Sequence, residues 1–122
     1  MTRPLICILL FAITGLARIA LAGSGEDVHK ARLQLHNALR HAVLDIVRNG
    51  ERGRDKVTNL ALQRAQTEVA QFREACVARE LRSGVRRGEA EAHANAEIQD
   101  SLDNLVENAL SKVKDGIPLP PK

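Results

Sequence analysis

Tryptophan and tyrosine are absent from the 122 residues, and phenylalanine occurs only at positions 11 and 72. Any core must therefore be assembled from Leu, Val, Ile and Ala. Cysteine is equally scarce, at positions 7 and 76. A secreted domain stapled by disulfides needs an even set of thiols within the folded part. There is no glycine-rich phosphate loop, no nucleophile motif and no N-x-S/T sequon. The first two absences point away from an enzyme and from a bound cofactor, and the third from N-glycosylation. No internal repeat is evident, and no segment beyond the N-terminus is apolar all round.

The N-terminus reads as an address. Arg3 supplies a positive start, residues 5–17 are mostly apolar, and Ala20 and Ala22 place small side chains where a signal peptidase needs them. The apolar run is shorter than the roughly 20 residues of a membrane span. Arg18 puts an unusual charge before the cut, and an uncleaved anchor is the alternative. The expectation is a secretory signal peptide at 1–22, removed after Ala22, leaving a secreted, extracellular chain with no transmembrane segment. Removal takes Arg3, Arg18, Cys7 and Phe11 with it. The remaining 100 residues hold 16 basic and 15 acidic side chains and one cysteine, Cys76. That is one domain, large enough for a modest core, with a net charge of only +1, too little to attract nucleic acid.

Three helices are expected. The first opens at Ser24, with Glu26 and Asp27 suiting the helix dipole. Val28, Ala31, Leu35, Leu39, Ala42, Val43 and Ile46 then recur every three or four residues. Asn49-Gly50 ends it, so it spans about 25–48. After the link at 51–55, the second starts at Asp55 or Thr58 and carries a seam of Leu62, Ala65, Val69, Phe72 and Cys76. Val77 and Leu81 continue an apolar line beyond it. Ser83–Gly88 forms the second connection. The third helix begins near Glu89, buries Ile98, Leu102, Leu105, Ala109 and Val113, with Val106 and Leu110 widening the stripe, and stops at Asp115-Gly116. The tail at 117–122, with Pro118, Pro120 and Pro121, is extended. Near-equal helix lengths and short links predict an all-α fold: an antiparallel three-helix bundle over 23–116, elongated like a coiled coil. Residues 51–87 carry a net charge of +4 and 88–122 a net of −4, which favours their lying side by side.

Few residues offer chemistry. His29 and His36 share a helical face but lie about 10 Å apart, too far for one metal ion. Glu89, His93 and Glu97, spaced four apart, have the geometry of a divalent site, yet such a trio is more simply a solvated charged face. No metal site is assigned. Cys76 has three readings: a small buried hydrophobe in the seam, an intermolecular disulfide making a homodimer, or a reactive thiol near Arg73 and Arg79 with no base to accompany it. Arg79, Arg82, Arg86 and Arg87 form the densest basic cluster. It is either a solvated helix end or a patch for an anionic partner such as a glycan or lipid headgroup. Arg86-Arg87 is also a dibasic pair whose cleavage would release Gly88 to Lys122 as an amphipathic peptide. Amphipathic helices poor in aromatics, without an internal disulfide, are similar in general character to the exchangeable apolipoproteins. That compositional likeness implies a lipid-like ligand. The chain therefore reads as a small secreted helical binding protein, its partner a protein or a lipid-like molecule, with a processed precursor as the alternative.

Overall fold

The structure, a computed structural model, describes residues 25–121. The signal peptide expected at 1–22 and the Ser24 cap lie outside the described residues. All regular structure among the described residues is helical: α1 (Gly25–Arg48), α2 (Arg54–Arg64), α3 (Gln66–Arg82) and α4 (Arg87–Lys114).

These are four helices where the periodicity predicted three. The expected second helix is interrupted at Ala65, whose φ of −98° and ψ of 19° leave the helical region. The interruption is slight. Ala65 N–H still donates to Ala61 O at 3.0 Å, and Ala65 O accepts from Val69 N–H at 2.9 Å. Neither glycine nor proline marks the site. The cause lies in the buried line Val57, Ala61, Ala65 and Val69, which advances by fours. Each four-residue step overshoots a full turn by about 40°. A straight helix would carry that line off the core, and the break in its middle keeps both halves facing inward. The register also moves: Ala61, not Leu62, is fully buried, and Leu62 is only partly so. The other boundaries shift as well. The second expected helix starts at Arg54 and the last at Arg87, which confines the second connection to residues 83–86.

The helix ends follow one design. Gly50 N–H donates to Val47 O and Glu51 N–H to Ile46 O after α1; Gly84 and Val85 do the same after α3, and Gly116 and Ile117 after α4. Each is a Schellman turn, which satisfies carbonyls the helix leaves open. The turn needs a left-handed residue, and Gly116, at φ 72°, supplies it and aims the tail back along α4.

Cross-chain pairs set the directions. Asp45 meets Arg64 and Arg32 lies over Phe72, so α2 and α3 run against α1. Arg54–Glu107 and Arg73–Asn95 show the same opposition to α4. The basic middle of the chain thus lies beside the acidic last helix, as its charge predicts. Phe72, Leu39, Leu102, Val28, Val43, Val47, Val57 and Val106 are fully buried where the helices meet. Each large side chain there contributes about 1.5–3 kcal/mol. Among the described residues no polar or charged side chain is buried, and no buried side-chain polar atom lacks a partner.

Candidate functional site

Cys76 sits on α3 with 6 % of its surface exposed, inside the same cluster as Phe72. Burial pushes its thiol above the ordinary value, and the Glu97 carboxylate adds to the shift against Arg32 and Arg79. A thiol so placed is a poor nucleophile. Arg32 roofs this seam. Its guanidinium grips Glu97 with two bonds, Nε to Oε2 at 2.6 Å and Nη2 to Oε1 at 3.1 Å, and stands 5.6 Å from the Phe72 ring centroid. The arrangement ties α1, α3 and α4 together at one level.

The trio Glu89, His93 and Glu97 is divided by other partners. Glu97 is held by Arg32, while His93 Nδ1 lies 2.9 Å from Glu80 across the helix pair. Among the described residues no group of three or more His, Cys, Asp or Glu side chains is placed to hold a metal ion.

The arginine cluster is brought to one corner of the fold. Arg79 and Arg82 lie in the last turn of α3, Arg86 precedes α4, and Arg87 is its first residue. All four are exposed. Arg87 faces Glu91 one turn on, at 3.8 Å. It also borders a cleft of about 240 Å³ between α3 and α4, with Val77, Ala78 and Leu81 as apolar lining. Of the dibasic pair, Arg86 is extended and Arg87 helical.

A second site escaped sequence reasoning altogether. The tail at 117–121 does not trail away but lies in a groove between α1 and α4. Arg40 Nη2 donates to Pro121 O at 3.1 Å, and Arg48 Nη2 donates to the Leu119 and Pro120 carbonyls. Leu119 packs against the core cluster. Beside Leu119 and Pro120 an open cleft of about 270 Å³ is lined by Val43, Leu44, Leu105 and Ala109, with His36, Arg40 and Lys112 also on its walls. Leu44 is the informative residue. It is only 5 % exposed, yet it stands outside both the predicted stripe and the central cluster. The signal was present as Arg40, Leu44 and Arg48, four apart on one face of α1, which puts an apolar side chain between two cations. Periodicity alone gave that face no partner.

No helix among the described residues is long and apolar enough to cross a membrane. Comparison with protein-family models, with curated proteins and with solved structures gave no match.

Proposed function

We propose that the chain is an exported helical binding protein, an antiparallel elongated bundle that works through its outer surface rather than by catalysis. The supporting observation is the α1–α4 groove, where the fold already holds an extended peptide segment, its own tail. This favours a protein partner over a lipid-like one. A carrier that opens on lipid would have to part helices whose large apolar residues are fully covered. The two clefts are already open at the surface, the second over the edge of the core at Val43 and Ala109, and need no parting of the helices.

Circular dichroism with flotation on anionic phospholipid vesicles separates the two. A surface-binding module neither gains helicity nor floats; a gain in both contradicts the proposal. Export is tested by N-terminal sequencing of secreted material, which should begin at Gly23. A homodimer bridged through Cys76 would require the seam to open, and a non-reducing gel showing a covalent dimer would establish that it does.

Processing at Arg86-Arg87 is the second reading, favoured by the position of the pair. Val85 and Arg86 lie outside the helices, and Arg86 is exposed. Cleavage there would release α4 with its tail. Mass spectrometry of secreted material yielding one intact chain from Gly23 to Lys122 would dismiss it.

A further inference from the structure

We propose that the α1–α4 groove is a recognition site for an extended, proline-containing peptide of a partner protein, and that the C-terminal tail occupies it in cis as a competing ligand. This rests on reading the chain as a binding protein and names the class of partner.

The first argument is hydrogen-bond complementarity. Three of the five residues at 117–121 are proline, which has no N–H to offer. Such a segment presents mainly carbonyl acceptors. The groove meets them with guanidinium donors: Arg40 and Arg48 reach the carbonyls of Leu119, Pro120 and Pro121. A guanidinium can donate and cannot accept, so these two contacts suit a backbone rich in carbonyls and poor in N–H groups. A segment already extended by its prolines also loses little conformational entropy on docking.

The second argument is fit. Leu119 is only partly buried, and the cleft of about 270 Å³ beside it is left unfilled by protein atoms. Val43, Leu44, Leu105 and Ala109 give that space an apolar lining. The tail thus shares a cleft with Leu44 but under-fills its groove. A partner with a larger apolar side chain at the position of Leu119 would make contacts that the tail does not. The tail is fixed at one end by the Schellman turn at Gly116 and held elsewhere by the half-buried Arg40, the exposed Arg48 and the packing of Leu119 on the core cluster. Only that one apolar contact has to be given up for the tail to leave.

The third argument separates peptide from lipid. The tail is gripped through its backbone, by carbonyl bonds along its length, and the groove is an open cleft rather than an enclosed cavity suited to an acyl chain.

The test uses the full chain and two fluorescently labelled synthetic peptides, one with the sequence of residues 117–122 and one with Phe in place of its Leu. Binding is read by anisotropy for the wild type, for Leu119→Asp, and for Leu119→Asp combined with Arg40→Ala. Leu119→Asp removes the apolar side chain that packs the tail against the core cluster and so releases it. A tail docked nine-tenths of the time lowers apparent affinity for a competitor about tenfold. Leu119→Asp should therefore bind both peptides about tenfold more tightly than the wild type, the Phe peptide the more tightly of the two. Adding Arg40→Ala should remove most of that gain. Melting curves establish that each variant is folded.

Equal affinity in wild type and Leu119→Asp, or no binding by folded Leu119→Asp, overturns the groove proposal alone. If Leu119→Asp instead floats with anionic vesicles, the groove belongs to lipid and the peptide assignment falls. The broader reading fails by a different result, flotation of the wild-type chain with a gain in helicity.

Discussion

Leu35 and Leu44 lie on the same helix and are almost equally covered, at 3 % and 5 % exposure. They lie in different surroundings. Leu35 belongs to the face of α1 that also carries Val28, Leu39, Val43, Ile46 and Val47, and that face meets the other helices in one continuous cluster. Leu44 sits on another face, between Arg40 and Arg48, in the groove that the tail occupies. Helices cannot leave the first surface without unfolding the protein. A five-residue strap tethered at one end can leave the second. Burial measured residue by residue does not distinguish a core from a docked segment; the identity of the covering element does.

The comparison can be broken by substitution. Leu102→Asp should cost most, because Leu102 is fully buried among the helices and the variant places an unpaired charge there. A loss of about 5 kcal/mol or more is expected, seen as the disappearance of a cooperative melt. Full helicity and a sharp transition in that variant would refute the core assignment. Phe72→Ala should cost about 3–5 kcal/mol, the range for emptying a large buried site. Leu44→Ala should cost less, about 1–2 kcal/mol, because its surroundings are partly open. That cost should shrink by at least half in a Leu119→Asp background, since a released tail no longer covers it; urea titrations of the four chains make the cycle. Additive costs would mean that the tail does not shield Leu44.

The sharpest of these contrasts was the least legible in the sequence. The inward stripe of α1 and the stop signals Gly50 and Gly116 could be read directly, because apolar spacing and left-handed glycines act locally; Gly84 and Gly88 left the end of the next helix open, and the positive φ falls at Gly84. The break at Ala65 could not. Only a buried line advancing by fours announces it, and the expected seam had taken Leu62 in place of Ala61. In α4 the stripe was expected to centre on Leu105 with Val106 at its margin; both face the core, but Val106 is the fully buried one and Leu105 the partly buried one. Such slips arise because a stripe wide enough for a bundle contains adjacent apolar residues, and only the partner helix chooses between them. Leu44 is the extreme case, since the cleft it lines is completed by residues from the opposite end of the chain. The arginine corner was foreseen as a cluster, but not the cleft that Arg87 shares with Glu91 and Leu81.

The smallest effect expected is one of pH. Burial raises the Cys76 thiol pKa in the folded chain. The unfolded chain ionises near the ordinary thiol value of 9.0 while the folded chain resists. The stability contributed by the protonated thiol is present below that value and lost as pH rises past it. Measured as wild type minus Cys76→Ala, the urea stability difference should fall as pH rises through and beyond 9. A flat difference would place the thiol in contact with water.

That thiol also offers the most direct test of the closed core. Maleimide labelling of Cys76 should be followed by mass spectrometry, residue by residue, through a urea titration. The extent of labelling after a short pulse should rise along the same curve as the loss of helical circular dichroism, with little labelling in native buffer. Complete labelling of Cys76 in native buffer, with helicity intact, would contradict the account.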